Sequence, residues 1–521
     1  MKKKLALMMA FILVLMASLT GCGSESDRTD ENVTAVSEGT PAFGGEITLG
    51  ITNDLDSLDP HKATAAGTNE VLFNIFEGLV KPDENGNLVP AIAESYEMSD
   101  DGMHYTFVIR QGIKFHNGKD LTVDDVVYSI NRVSGLDGSP DSEVNHVSAL
   151  STLTSVDTSV NEDGKDVVTL NLSEPNTELL GFLTFAIIPC DYDGQSTFPI
   201  GTGPFKFVSY TPLTSFVIEK NNDYYGTKAY LDKVTFKICA DTDAAFTQLL
   251  AGSIDIFPYL TSDQADQLGN GYNILVGSMN LVQALFLNNK VKPFDDVRVR
   301  QAVCYATDRQ GILDMVAGGR GTLIGSGMFA GFGKYFNADC TDVYTANTDK
   351  AKELLKEAGY PDGFDMTITV PSNYQFHVDT AQVLVEQLKQ VGINADIELV
   401  EWSSWLDDVY YGRKFQSTVI GIDADLAPSD VMERYVSDSD KNFINFNSPD
   451  FDTLYAKAVA ECDDSKKVED YKELQNILTK NAASDYIEDP ALIVAVNKKL
   501  SGYTFYPVYV QDMSKVYYIS Q

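Results

Sequence analysis

Hydrophobic and polar positions alternate between strand-like and helix-like periods along the chain, which predicts a mixed α/β architecture. Apolar residues recur at every second position in Tyr105–Arg110 and in Val234–Ile238. A third segment, Ala395–Leu399, alternates apolar residues with Asp396 and Glu398. These segments are predicted to be half-buried strands, because successive side chains of a strand point to opposite faces.

Two segments carry clear helical signals. Thr122 and Asp125 have the T-x-x-D spacing of a capping box, which predicts a helix from Val123 to about Val133. A longer polar helix is predicted at about residues 465–482, and tyrosine-rich strands are expected to follow it to the end of the chain. No internal repeat interrupts this succession, so a solenoid is not expected.

The first residues have the pattern of a secretory signal. Lys2, Lys3 and Lys4 precede the apolar run Leu5–Ala17, which is too short to span a bilayer permanently. The run ends in Leu19-Thr20-Gly21-Cys22, which resembles the lipobox cut by the bacterial lipoprotein signal peptidase. We therefore predict a signal peptide at 1–21, lipidation of Cys22 and a flexible tether at 22–43; an ordinary export signal with an incidental cysteine is the alternative.

Length and charge narrow the class of protein. About 480 residues follow the signal and tether, more than one hydrophobic core usually serves, so two or three lobes are expected. The formal charge is -36, and removal of the three signal lysines makes it more negative still. Such a surface repels nucleic acid and favours solubility.

Five cysteines follow Cys22, at positions 190, 239, 304, 340 and 462. Their number is odd and none has C-x-x-C spacing, so at least one is expected to be free.

Catalytic motifs are missing from the sequence. It contains no H-E-x-x-H, Walker A, complete G-x-G-x-x-G or G-x-S-x-G pattern, and no two of its five histidines are four residues apart. The plentiful aspartates do not single out a pair for acid/base chemistry. The sequence therefore favours a binding protein over an enzyme, and it predicts no cofactor and no metal site.

Nine segments, in order along roughly 450 residues, resemble the family 5 extracellular solute-binding proteins of ABC importers, the group that binds oligopeptides, dipeptides and nickel. The segments are Leu58–His61, Ile75–Val80, Val89–Tyr96, Tyr105–Arg110, Ile113–Gly118, Leu121–Ser129, Gly201–Phe205, Phe294–Arg300 and Leu354–Tyr360. The resemblance implies an α/β, periplasmic-binding-protein-like Venus flytrap with two lobes and an additional inserted domain. Domain I would comprise 44–76, 200–286 and 490–521; domain II would be the insertion 77–199, and domain III would be 287–489. The ligand would lie between domains I and III, in a cleft closed by hinge motion.

The resemblance also implies an amine-binding carboxylate. In peptide-binding members an Asp in a Gly-Trp-x-x-Asp stretch pairs with the amino terminus of the peptide, and the corresponding stretch here begins at Gly421 and places Asp425 at that position. Ile422 stands where the family has Trp, and the stretch from Asp425 to Pro428 is one residue shorter, so Asp423 is an alternative partner for the amine.

Three further residues are expected among the ligand contacts by the same resemblance. Trp402 matches an aromatic position upstream of the Asp425 loop, and Thr202 and Gly203 lie in the matched segment Gly201–Phe205. Trp405, the other tryptophan, is expected to pack on a helix face instead.

Three hypotheses of function remain open from the sequence. The first is a monomeric, membrane-anchored lipoprotein on the extracytoplasmic face that captures short peptides and delivers them to an ABC permease with its ATPase. The second keeps the fold but binds a nickel chelate, a sugar or an opine; an anionic chelate would favour Arg or Lys in place of Asp425. The third is a sensing or adhesion lipoprotein.

Overall fold

The computed structural model describes residues 39–136, 138 and 143–520. The predicted signal peptide, Cys22 and most of the predicted tether lie outside these residues. None of the helices in the described ranges combines the length and the apolar character needed to cross a membrane.

Twenty-one strands, twelve α-helices and five short 3-10 or π-helices make up the regular structure of the described residues. The strands, numbered in chain order, are β1 Pro41–Ala42, β2 Glu46–Ile51, β3 Val80–Pro82, β4 Leu88–Pro90, β5 Ala93–Met98, β6 His104–Ile109, β7 Leu153–Val160, β8 Asp166–Leu172, β9 Phe205–Thr211, β10 Ser215–Lys220, β11 Lys233–Ile238, β12 Ile256–Phe257, β13 Tyr272–Ser278, β14 Val282–Leu287, β15 Gly321–Leu323, β16 Phe364–Pro371, β17 Ile393–Val400, β18 Ser417–Ile422, β19 Ser484–Asn497, β20 Leu500–Ser501 and β21 Tyr517–Ile519. The α-helices are Ala66–Leu72, Val123–Ser134, Thr242–Leu250, Ser262–Gln267, Val297–Ala306, Arg309–Val316, Thr348–Glu357, Gln375–Lys389, Trp402–Ser404, Pro428–Glu433, Pro449–Ala460 and Asp464–Lys480.

One twelve-stranded sheet runs through both lobes of the molecule. Its main path has the order β17-β16-β18-β14-β19-β12-β2-β11-β10-β9, and β13 and β15 pair with β19 beside this path. The strands β2 and β9 to β13 belong to the first lobe, and β14 to β18 belong to the second. A separate four-stranded sheet, β5-β6-β8-β7, lies within the predicted insertion. This arrangement confirms the predicted two-lobed α/β fold.

The strand β19 connects the two lobes. Its first half pairs with β14 of the second lobe, and its second half pairs with β13 and β12 of the first. The chain crosses a second time between β13 and β14, where Asn280 adopts a positive φ of 59°. Two chain segments that pass between lobes, one strand and one short connection, form the kind of hinge in which a few residues absorb a domain rotation.

The predicted helix at 123–133 is confirmed as Val123–Ser134. Both the backbone N–H and the hydroxyl of Thr122 donate to Asp125 Oδ2 at 2.8 Å, as the capping box requires. Gly135 ends the helix with a φ of 73°, a left-handed conformation that a side chain would strain.

The end of the chain differs from the prediction. The polar helix is confirmed as Asp464–Lys480, but the long strand β19 follows it, and only Tyr517–Ile519 of the tyrosine-rich terminus is a strand. At the other end, Pro41–Ala42 pairs with β21, although we predicted these two residues to belong to the tether. The backbone of these residues finds strand partners that a flexible tether would lack.

Separate hydrophobic cores lie within the predicted domain ranges. One core joins β2 and its neighbours to residues of the terminal segment, another lies inside 79–187, and two lie between 282 and 487. The described part of the chain nevertheless forms one compact unit by its contacts, so the predicted domain boundaries stay predictions. All five cysteines in the described residues are free, which agrees with the prediction of at least one free thiol, and Cys239 and Cys304 are buried.

Candidate functional site

A large cleft lies between the two lobes. Its cavity has a volume of about 1960 Å³. The first lobe contributes the segment around Asn53 and the helix Ala66–Leu72, and the second lobe contributes the helix Gln375–Lys389 and the end of β18. The β19 hinge contributes Pro490 among its lining residues, so the cleft is bounded by both lobes and by the strand that joins them.

The end of β18 is fixed by a buried histidine. The Gly421 N–H donates to His377 Nε2 at 3.1 Å, and burial lowers the pKa of His377 to about 4, so the ring is neutral. The other ring nitrogen, His377 Nδ1, lies 2.9 Å from Gln283 Nε2. A Cβ on Gly421 would lie 2.7 Å from Leu281 Cδ1, so a side chain at this position would force Leu281 to move.

The loop after β18 carries two carboxylates, one of which reaches the cleft. Asp423 lines the cavity, whereas Asp425 is not among its lining residues. Solvent reaches both side chains, but protein surrounds them on most sides. Burial raises the pKa of Asp423, and burial followed by the charges of Asp430 and Asp423 raises the pKa of Asp425. Neither carboxylate takes part in an ion pair between described residues. Both are therefore placed to gain from an arriving cation.

Cations near this loop are already engaged by other groups. Lys441 Nζ lies 2.7 Å from Asp430 Oδ1 and 2.8 Å from Glu433 Oε2. Asp430 Oδ2 accepts the Asp425 N–H at 3.1 Å, which fixes the loop backbone. Arg434 donates to the Tyr410 hydroxyl at 2.9 Å. These contacts hold the loop in place, and its two outer carboxyl groups form no ion pair between described residues.

Trp402 forms an aromatic wall of the cleft. It lines the cavity with 36% of its surface exposed, and its ring stacks on Trp405 at a centroid distance of 5.1 Å and an angle of 6°. Trp405 is buried, as predicted, and its Nε1 donates to Thr418 Oγ1 of β18 at 3.0 Å. Tyr374 also contacts Trp402, in an edge-to-face arrangement with a centroid distance of 5.4 Å. This packing holds Trp402 in one orientation toward the cavity.

Thr202 and Gly203 lie elsewhere in the described structure. Both are buried and neither lines the cavity. The Gly203 N–H donates to Ile75 O at 2.8 Å, and a Cβ on Gly203 would lie 2.7 Å from that carbonyl oxygen. In this structure the two residues pack the first lobe against the segment that enters the predicted insertion.

Sequence reasoning missed the acidic groups of the first lobe and the hinge. Glu70, on the helix Ala66–Leu72, lines the cavity, accepts a hydrogen bond from the Tyr259 hydroxyl, and has its pKa raised to about 7 by burial. Glu488 and Asp489 are buried in β19, and both Glu488 oxygens and Asp489 Oδ2 have no hydrogen-bond partner among the described residues. A Glu-Asp-Pro sequence inside an apolar run was the only signal of this hinge.

Comparison with known proteins identifies the family that this sequence matches. Residues 87–443 match the bacterial extracellular solute-binding proteins, family 5 (middle), which is more than half of the chain. The oligopeptide-binding protein AppA of Bacillus subtilis is 27% identical over 97% of both chains, and the dipeptide-binding protein of Escherichia coli is 28% identical over 81% of this chain and 84% of its own.

Solved structures agree with this match. The periplasmic binding protein DppA of Helicobacter pylori, in complex with the peptide STSA, superposes with a TM-score of 0.81 at 27% identity, covering 92% of this chain and 99% of that one. The Bacillus subtilis AppA structure, in complex with a nonapeptide, gives a TM-score of 0.79 at 26% identity over 92% of this chain and all of that one. The chain therefore belongs to the family 5 extracellular solute-binding proteins.

Proposed function

We propose that the protein captures short peptides outside the membrane and delivers them to the permease of an ABC importer. The observation that carries this proposal is the cavity of about 1960 Å³ between two hinged lobes. Pockets for drug-sized ligands usually have volumes of roughly 300–1,000 Å³, so this cleft suits an extended ligand of several residues. Relatives crystallised with a four-residue peptide and with a nonapeptide support the same ligand class.

The loop carboxylates would hold the peptide amino terminus. Asp423 lines the cavity and forms no ion pair between described residues, and its pKa stays raised although the charge of Arg434 acts to lower it, so an α-ammonium group entering the cleft would gain a carboxylate partner there. Asp425 stands two residues further along and adds negative charge to the same region. We therefore place the amine on Asp423, with Asp425 in a supporting electrostatic role.

A small anionic solute fits this cleft less well. The lining contains a single guanidinium, Arg320, and it pairs with Asp266 at 3.0 Å. An anionic metal chelate would need free Arg or Lys side chains, and the lining offers carboxylates instead. The cavity volume argues in the same direction, because a chelate of a single metal would leave most of it unfilled.

Mass spectrometry of the material that copurifies with the protein tests the proposal. The protein is purified under native conditions, denatured, and its released small molecules are analysed. A population of peptides with free amino termini is expected. Recovery of a single metal chelate, sugar or opine in stoichiometric amount would favour the second hypothesis instead.

The compartment follows from the sequence signals and belongs to the proposal. Family membership makes the protein extracytoplasmic, and the lipobox-like segment ending at Cys22 would anchor it to the outer face of the membrane. Two acyl linkages would hold it firmly without a spanning helix. Cys22→Ala is expected to leave the precursor uncleaved and without radiolabelled palmitate in growing cells. Processing of the variant to the same mature terminus would contradict the anchor.

Intrinsic fluorescence should report ligand binding through Trp402. The chain has only two tryptophans, and Trp402 lines the cavity whereas Trp405 is buried behind it. Saturating peptide is expected to change the emission of the native protein, and Trp402→Phe is expected to lose most of that change and about 10-fold in affinity. Trp405→Phe serves as the control and should keep the change. An unaltered titration of Trp402→Phe would place the ligand away from this wall.

A further inference from the structure

The cleft carries many more acidic groups than the binding of a peptide amino terminus requires. Nine carboxyl groups line the cavity, on both lobes. The first lobe contributes four of them, namely Asp54, Asp56, Glu70 and Asp263. One peptide amine can neutralise a single carboxylate, so most of this charge is left over after the terminus is bound.

The second lobe contributes the other five, Asp379 and Glu386 of the helix Gln375–Lys389 among them. The lining offers little to offset them. Its one guanidinium, Arg320, is held by Asp266, and its one histidine, His377, is neutral because burial lowers the pKa to about 4. None of the nine carboxyl groups takes part in an ion pair between described residues.

Neutral hydrogen-bond donors hold Asp56, a carboxylate of the first lobe, in place. Asp56 Oδ2 accepts the N–H and the hydroxyl of Thr64 at 2.8 and 2.6 Å and the Ala65 N–H at 3.0 Å. Burial acts to raise the pKa of Asp56, but hydrogen bonds from Thr64, Thr68 and Ala65 outweigh it and lower the pKa. Asp56 therefore stays ionised and fixed at the cleft.

Two buried acidic groups lie in β19 directly before the cavity-lining Pro490. Glu488 is fully buried and neither of its oxygens has a hydrogen-bond partner among the described residues, and Asp489 lacks a partner for Oδ2. They precede Pro490, which lines the cavity, and Asp489 Oδ1 accepts the N–H of the cavity-lining Leu281 at 3.2 Å. Burial of a carboxyl group without a partner is costly, and an approaching positive charge would offset that cost.

Closure of the lobes brings these like charges toward one another. Because the carboxylates sit on both walls, each step of closure around a neutral or acidic ligand increases their mutual repulsion. A ligand with several positive charges converts that repulsion into attraction and shifts the equilibrium to the closed state. The ligand charge therefore decides both affinity and closure.

We propose that the cleft selects peptides rich in lysine or arginine and discriminates against acidic ones. This proposal rests on the proposed function of peptide capture and adds the side-chain class that the same cleft favours. The selectivity is electrostatic and does not need a dedicated pocket for each basic side chain.

Calorimetric titration with three matched peptides tests the selectivity. The peptides have free amino termini, equal length and the same apolar residues, and they differ only in carrying Lys, Gln or Glu at two inner positions. We expect affinity to fall by about 10-fold or more from Lys to Gln and again from Gln to Glu, and the Lys-to-Gln ratio to shrink when NaCl rises from about 0.05 to 0.5 M.

Two double variants locate the effect. Asp379→Asn with Glu386→Gln is expected to weaken the Lys peptide more than the Gln peptide, because both residues line the cavity. Glu162→Gln with Asp163→Asn removes the same charges from an exposed turn between β7 and β8 and should leave the preference unchanged. A preference that falls equally in both variants would mean that net charge alone is responsible, and it would overturn the assignment to the cleft.

The outcomes separate this proposal from the proposed function. Equal affinities for the three peptides would overturn the charge selectivity while peptide capture stands. Failure of all three peptides, together with tight binding of a small cation such as spermidine, would overturn peptide capture itself. Tighter binding of the Glu peptide than of the Lys peptide would also overturn the selectivity.

Discussion

Asp423→Asn is expected to weaken an unmodified peptide by roughly 30-fold to several thousand-fold. Loss of one partner from a desolvated charge pair costs about 2 to 5 kcal/mol, which corresponds to that range. The substitution keeps the side-chain shape and removes the charge that lines the cavity. Calorimetric titration of the native protein and the variant measures the ratio of dissociation constants directly.

An N-acetylated peptide and a neighbouring variant serve as the controls. Acetylation removes the charge from the ligand side, so Asp423→Asn should hardly change the affinity for the acetylated peptide. Asp425→Asn should cost less than Asp423→Asn, because Asp425 is not among the lining residues of the cavity. Equal losses for both peptides would contradict the amine pair, and a larger loss in Asp425→Asn would move the pair to that residue. Thermal melting of both variants should stay near that of the native protein, since solvent reaches both side chains.

The ligand-free protein is expected to lose stability as pH rises from about 5 to 8, and Glu488→Gln should remove part of that loss. Burial, followed by the charge of Asp489, raises the pKa of Glu488 to about 8, and burial raises the pKa of Asp489 to about 7. Both groups bind protons more tightly in the folded state than in the unfolded chain. Their contribution is therefore complete below the ordinary carboxyl pKa and is lost as pH rises through the folded value.

Urea unfolding at pH 5 and pH 8 measures this contribution. The native protein and Glu488→Gln should be similar at pH 5, where the glutamic acid is neutral, and the variant should be more stable at pH 8. The difference expected between the two pH values is on the order of 3 kcal/mol. Glu162→Gln, an exposed substitution of the same kind, is the control and should follow the native protein. A variant that keeps the full pH dependence would show that Glu488 is not the group that titrates.

A bound ligand would link the carboxylate of the first prediction to the buried carboxyl groups of the second. Asp423 lies at the wall of the cleft, and Glu488 and Asp489 lie in the strand that joins the lobes. A positive ligand charge favours the ionised form of every carboxyl group near it. Binding of a basic peptide is therefore expected to stabilise the closed form most at the higher pH, where the empty hinge is least stable.

Local patterns were sufficient for the elements whose signals lie within a few residues. The capping box of Thr122 and Asp125 predicted the helix Val123–Ser134, and the alternation in 234–238 predicted part of the strand β11. Trp405 was expected to pack, and it is buried. Capping and alternation depend on neighbours in sequence, so these elements could be predicted from local patterns, and the order of the matched segments was enough to indicate the family.

The cleft and the strand that joins its two walls depend on contacts between distant parts of the chain. Glu488, Asp489 and Pro490 disfavour a strand by their local preferences, yet they lie in the fourteen-residue β19, because β14, β15 and β13 supply its partners from distant parts of the chain. The same distance in sequence separates the carboxylates of the two cleft walls. Their charge was visible in the composition, but only folding places them around one cavity, and that placement is a long-range property no local pattern encodes.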